Sequence, residues 1–192
     1  MARPAPKPGD PISELVDSLL VELGEDPGRQ GLKSTPDRVA RALRELTDGY
    51  GVKPEEVVAG AIFDQDYDEM VVVKDIPFYS LCEHHMLPFF GQVHVGYLPK
   101  GKVVGLSKIP RLVEVFSHRL QIQEQLTNQV ADALNVTLAP KGVGVVVEAR
   151  HLCTEMRGVE SPGGRMITSC MLGTFRRDPR TRAEFLDLVR TT

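Results

Sequence analysis

Gly91-Gln-Val-His-Val-Gly-Tyr-Leu98 alternates in character: Val93, Val95 and Tyr97 share one face of an extended chain, and Gln92 and His94 share the other. That is strand patterning with one face turned to a core. Residues 70–73 and 76–81, just before it, also read as strand. The Pro99-Lys-Gly-Lys102 turn leads into a short strand over 103–106. A second strand pair is expected over 143–153 and 166–175, joined by a glycine-rich loop at 158–164. Two helical stretches, about 109–119 and 121–138, lie between the pairs and end at Pro140-Lys-Gly142.

The chain ends read as helix. Asp10 can cap a helix with Pro11 in its first turn, and Ile12, Leu15, Val16, Leu19, Leu20 and Leu23 keep the helical period until Gly24. Ser34-Thr-Pro36 opens a second helix, with Val39, Ala42, Leu43 and Leu46 behind it and Gly49 and Gly51 closing it. Residues 181–190 read as a closing helix. The order of helices, hairpin, helices, hairpin and helix implies an α+β domain on an antiparallel sheet. Three segments are expected: a flexible tail over 1–9, a helical region over 10–65 and a catalytic domain over 66–192.

Composition removes several function classes. The 192 residues carry 23 Lys and Arg against 26 Asp and Glu, a net charge of −3, which argues against a nucleic-acid coat. With 42% apolar residues the chain can bury a core, so disorder throughout is excluded. No apolar run approaches the ~18 residues of a membrane span. The first eleven residues hold four prolines and no apolar stretch, so no secretory signal is expected. Three cysteines make an odd count, too few for a disulfide scaffold, and a reducing cytoplasmic setting is expected.

Position matters more than number. Cys82-Glu-His-His85 follows one expected strand and His151-Leu-Cys153 ends another, so two of the three cysteines and three of the five histidines fall in these two motifs. Alternation on a strand puts His151 and Cys153 on one face. Thiolate and imidazole are the preferred ligands of zinc. A lone buried cysteine or strand histidine usually only packs, and a closed structural site of Cys82, His85, His151 and Cys153 is a second bland reading. A catalytic site uses three protein ligands and keeps one position open. Five candidate ligands for at most four positions leave an imidazole over for proton transfer, but spacing does not decide between the two.

The remaining motifs are weaker singly. Gly105-Leu-Ser107-Lys108 runs into a helix start, with Arg111 one turn on, and could take an anion or merely face solvent. Glu124, beside Gln123, suits the start of a helix by complementing its dipole. Arg157 follows the His-x-Cys group, where an anionic substrate or plain solvent would suit it. Arg38 lies in a first helical turn, where a cation is slightly unfavourable.

Taken together, these segments resemble GTP cyclohydrolase type I. The resemblance is carried by Ser80-Leu-Cys-Glu-His-His85, Gly105-Leu-Ser-Lys-Ile-Pro-Arg111, Gln121-Ile-Gln-Glu-Gln-Leu126 and His151-Leu-Cys-Thr-Glu-Met-Arg-Gly158, with Thr35-Pro-Asp-Arg38 and 168–175. It spans about 12–190. Departures, such as Cys170 where a small residue is expected, touch no motif position.

The resemblance implies the tunnelling fold: a four-stranded antiparallel sheet with helices on one face, sheets from several subunits joining into a barrel. It implies a homodecamer of two pentamers with active sites at interfaces. The implied reaction takes GTP and water to 7,8-dihydroneopterin triphosphate and formate, opening tetrahydrofolate biosynthesis. Cys82, His85 and Cys153 would hold one zinc per subunit, with His84 and His151 left for acid–base work. Glu124 would accept two hydrogen bonds from the guanine edge, a pair that adenine lacks, and Gln123 would flank the base. Ser107, Lys108, Arg111 and Arg157 would cradle the triphosphate, with Arg38 reaching in from a neighbouring subunit. Two other readings compete. A related deazapurine-pathway reductase would have no use for the paired Cys/His motifs, and a GTP-sensing zinc protein would not need His84 and His151.

Overall fold

The computed structural model describes residues 9–190, so the expected tail lies outside the described residues except for Gly9. The chain divides into two compact units, Met1–Thr47 and Asp48–Thr192. In the first, α1 (Pro11–Glu22) is capped by the Asp10 carboxylate, which accepts from the Ile12 N–H at 3.0 Å. Helix α2 (Thr35–Leu46) packs against α1. Arg44 pairs with Asp10 at 2.8 Å, and the Ser13 hydroxyl donates to Asp37 at 2.8 Å.

The second unit begins earlier than the 65/66 boundary read from sequence. After a 3-10 turn at Asp48–Gly51 comes α3 (Pro54–Ala59), whose Val58 is buried in the main core. Strand β1 (Ile62–Asp64) follows, and it pairs with a later short strand, β4 (Lys102–Val104), in a separate two-stranded sheet.

The main sheet starts with β2 (Val71–Cys82) and β3 (Pro88–Leu98), an antiparallel hairpin. The two pieces expected over 70–81 are one strand with a bulge between Val73 and Ile76, where Asp75 takes φ 58°. Helix α4 (Lys108–Ser117), strand β5 (Leu120–Gln121) and helix α5 (Gln123–Leu138) follow. Then come β6 (Gly142–His151), the one-turn helix α6 (Leu152–Glu155), β7 (Met166–Gly173), α7 (Thr174–Arg177) and α8 (Pro179–Arg190). The strand order is β5-β2-β3-β6-β7.

Three expectations change here. The sheet has five strands, not four, because Leu120–Gln121 runs parallel to Leu81–Cys82 before α5 begins. Strand β6 ends at His151, and Cys153 lies in α6 rather than on a strand. Helices also cover both sheet faces rather than one. Val93, Val95, Tyr97, Val143, Val145 and Val147 pack in one core with Leu112, Val113 and Phe116 of α4 and Leu126, Val130 and Leu134 of α5. On the opposite face Gly96 pairs with Gly144, and a Cβ there would lie 2.7 Å from Phe185 and 2.6 Å from Phe175, respectively. The two glycines leave a smooth patch into which these fully buried rings fit, so α7 and α8 dock on that face.

Candidate active site

The turn after β2 is closed by its own backbone. The Cys82 N–H donates to the Leu87 carbonyl at 2.9 Å, and the Cys82 carbonyl accepts from Met86 at 2.8 Å and His85 at 3.3 Å. Met86 accordingly sits at φ 55°, on the left-handed side. Strand β5 anchors the same turn, since the Glu83 N–H donates to the Gln121 carbonyl at 3.0 Å. Gln121 is itself buried, with its amide donating to the Phe116 carbonyl and to Gln129. Next to this turn, β6 pairs with β3 so that His151 lies opposite Phe89, and the chain then coils into α6.

These elements bring three ligand atoms together. One from each of Cys82, His85 and Cys153 lie within 4.8 Å of one another, with both cysteines buried and His85 exposed. Two thiols and an imidazole match the soft-to-borderline donor set of zinc and not the oxygen set of magnesium or calcium. Three protein ligands leave a fourth position for a reactant. Burial is the largest influence on the Cys153 thiol, raising its pKa, and the neighbouring Cys82 acts in the same direction. A cation between the sulfurs reverses that balance, because a coordinating thiol gives up its proton.

The two other histidines occupy different surroundings. His84 is exposed, with Nδ1 3.8 Å from the Cys82 sulfur. His151 is half-buried and lies flat against Phe89, at 4.7 Å between ring centres and 6° between planes. Its Nε2 meets Gln123 Oε1 at 2.8 Å. Burial lowers the His151 pKa, partly opposed by the carboxylates of Glu124 and Glu155. His151 is not among the ligand atoms that gather within 4.8 Å of one another, and its Nε2 faces Gln123 instead. Glu124, one residue into α5, is exposed.

Gln123, expected beside a bound base, is only 1% exposed, and its amide is engaged within the fold. Thr127 and Phe89, which support it and His151, escaped sequence reading. The i, i+4 spacing of Gln123 and Thr127 on one helix was the available signal.

The cationic residues are disposed as follows. Ser107, Lys108 and Arg111 gather at the start of α4, where the Ser107 side chain does not cap the helix. Arg157 follows α6, and its charge acts on Cys153. Arg38 lies in α2, in the first compact unit. Among the described residues none of Lys108, Arg111, Arg157 and Arg38 has a side-chain ion pair. Their charges are thus available to an anion.

The GTP cyclohydrolase I family matches residues 12–190. GTP cyclohydrolase 1 of Synechococcus sp. (strain JA-3-3Ab) is 58% identical over 175 residues, which is 91% of this chain and 76% of that protein. The enzyme of the same name from Gloeobacter violaceus (strain ATCC 29082 / PCC 7421) is 56% identical over 180 residues, covering 94% of this chain and 84% of its own. That of Leptospira biflexa serovar Patoc (strain Patoc 1 / Ames) is 53% identical over 180 residues, covering 94% and 98%. The matched span contains the turn with Cys82 and His85, the end of β6 and the start of α5, and by it the chain belongs to the GTP cyclohydrolase I family.

Proposed function

We propose that this protein is a GTP cyclohydrolase I, converting GTP and water to 7,8-dihydroneopterin triphosphate and formate in the first step of tetrahydrofolate biosynthesis. The observation that carries the reading is the approach of Cys82, His85 and Cys153 to within 4.8 Å, with the His151 imidazole two residues before Cys153 and held on Gln123, in a chain of this family. Cys82, His85 and Cys153 hold one zinc per subunit. When bound, zinc supplies Lewis-acid activation of water for the hydrolytic steps at carbon 8 of the purine.

The chain's own residues do the rest. His151, whose pKa burial lowers, takes the proton released as water adds to carbon 8 and returns it to the ring nitrogen as the carbon–nitrogen bond breaks. His84, exposed beside the Cys82 sulfur, serves proton transfers in the later ribose rearrangement. The Glu124 carboxylate accepts two hydrogen bonds from the guanine N–H and amine. Adenine leaves that carboxylate unpaired, a mismatch worth ~10⁴-fold or more in such sites. Ser107, Lys108, Arg111 and Arg157 bind the triphosphate, joined by Arg38 of a neighbouring subunit.

The same proposal includes the assembly. Strand β7 is one edge of the sheet, and the opposite edge of β2 is covered by β5 only at Leu81–Cys82. Long unpaired edges invite strand pairing between chains, which supports closure into a tunnelling-fold barrel and a decamer of two pentamers. A cytoplasmic enzyme without nucleic-acid or membrane partners fits this reading. Among the described residues no helix is long and apolar enough to cross a membrane.

Incubation of purified protein with GTP tests the reading. Formate release, a fluorescent pterin after oxidation, and one zinc per chain by metal analysis are the expected results, with light scattering giving a ten-subunit mass. Zinc-loaded protein that leaves GTP intact overturns the proposal.

A further inference from the structure

We propose that Gln123 is the positioning residue that holds His151 in its Nε2–H tautomer, so that Nδ1 is the nitrogen that exchanges protons with substrate. The inference rests on the catalytic reading of His151 given above and adds which atom acts and what fixes it.

The orientation of the Gln123 amide follows from its surroundings. Its nitrogen lies 3.0 Å from the Val147 carbonyl, 2.9 Å from the Met166 carbonyl and 3.2 Å from the Thr168 hydroxyl. Both carbonyls only accept hydrogen bonds, so reversing the amide would set its oxygen against two oxygens in a buried site. The hydroxyls agree. Thr127 donates to the Gln123 backbone carbonyl at 2.7 Å, so in its 2.6 Å contact with Thr168 it is the acceptor. Thr168 donates there and keeps lone pairs for the Gln123 nitrogen. The backbones of β6 and β7 thus fix the amide without reference to His151.

The amide oxygen then has one partner left, His151 Nε2 at 2.8 Å. An amide oxygen has no proton to offer, so that nitrogen must carry one. Turning the imidazole over would present a C–H to the oxygen instead. Stacking on Phe89 holds the ring plane. Nδ1 has no hydrogen-bond partner among the described residues, and in the Nε2–H tautomer its lone pair is available.

Magic-angle-spinning ¹⁵N NMR of histidine-labelled, zinc-loaded protein at about pH 8, where free imidazole is neutral, tests this directly. His151 is assigned by the signals lost in His151→Asn. The expected wild-type spectrum has the proton on Nε2 and a bare Nδ1. A proton on Nδ1 overturns the proposal whatever the turnover. Gln123→Met removes the acceptor at similar volume. A mixed His151 tautomer is expected there, with kcat for formate release down ~10- to 100-fold and KM for GTP little changed. An unchanged tautomer with unchanged kcat overturns it. Thr168→Val leaves both carbonyls in place and should keep the Nε2–H form, whereas a switch to Nδ1–H would show that the carbonyls do not fix the amide. An Nε2–H tautomer in a protein that releases no formate supports the positioning role and overturns the GTP reading instead.

Discussion

His151 and Cys153 stand two residues apart yet have separate surroundings, because β6 stops between them. His151 keeps its strand register opposite Phe89, while Cys153 turns with α6 toward Cys82 and His85. Substituting one should therefore spare the other. In His151→Ala, zinc content by metal analysis should stay near one per chain, while formate release falls ~10²- to 10⁴-fold. Near-normal turnover in that variant would remove His151 from the chemistry. Glu124 can be judged in the same way. Glu124→Ala should weaken binding of GTP much more than binding of inorganic triphosphate in calorimetric titration; equal losses would deny it a role in reading the base. At this scale the ligand types were legible in Cys82-Glu-His-His85 and His151-Leu-Cys153, since thiolate and imidazole declare their chemistry by type. The inward turn of Gln123 was not legible, because nothing local says that its amide meets two backbone carbonyls from β6 and β7.

At the scale of elements, the site depends on how closely β3 and β6 approach. Gly91 pairs with Ala149, two residues from the Phe89–His151 pair, and a Cβ on it would lie 1.9 Å from the Glu148 carbonyl oxygen. Gly91→Ala must push the strands apart there. A loss of about 1–3 kcal/mol is expected, read as a lower urea midpoint, together with reduced turnover from a displaced His151. Stability equal to wild type would mean that the strands accommodate the methyl group. The alternation at 91–98 was readable because side chains of a strand alternate strictly. The parallel pairing of Leu120–Gln121 was not, since two residues carry no period and only contact with β2 makes them a strand. Docking of Phe175 and Phe185 on the glycine patch was hidden for a similar reason. Gly96 and Gly144 lie far apart in sequence, and only the sheet register makes them neighbours.

For the whole molecule, two histidines tie stability to pH. The buried His94 ring accepts the Asp75 N–H on Nδ1 at 3.1 Å. Burial is the main influence on it and lowers its pKa, opposed by the Asp75 and Glu148 carboxylates and reinforced by Lys74. His151 is lowered by burial as well. In the unfolded chain each ring takes up its proton near pH ~6.5, whereas in the folded protein it does so only at lower pH. In that window the unfolded state binds more protons, so stability is complete above about pH 6.5 and is lost as the pH falls through the folded pKa values. Urea midpoints should therefore drop between about pH 7 and pH 5. His94→Asn, which keeps an acceptor for the Asp75 N–H without titrating there, should flatten the drop. An equally steep drop in the variant would clear His94 of responsibility.

The sequence by itself determined the α+β class, the two long hairpins, the helices between them and the ligand-bearing motifs, because periodicity, capping and residue chemistry are local properties of the chain. Only the tertiary structure decided that Cys82, His85 and Cys153 meet while His151 stands apart on Gln123, that a fifth strand anchors the ligand turn and that helices cover both sheet faces. Each of these depends on contacts between residues distant along the chain, fixed by strand register and by the burial of side chains that no local pattern pairs.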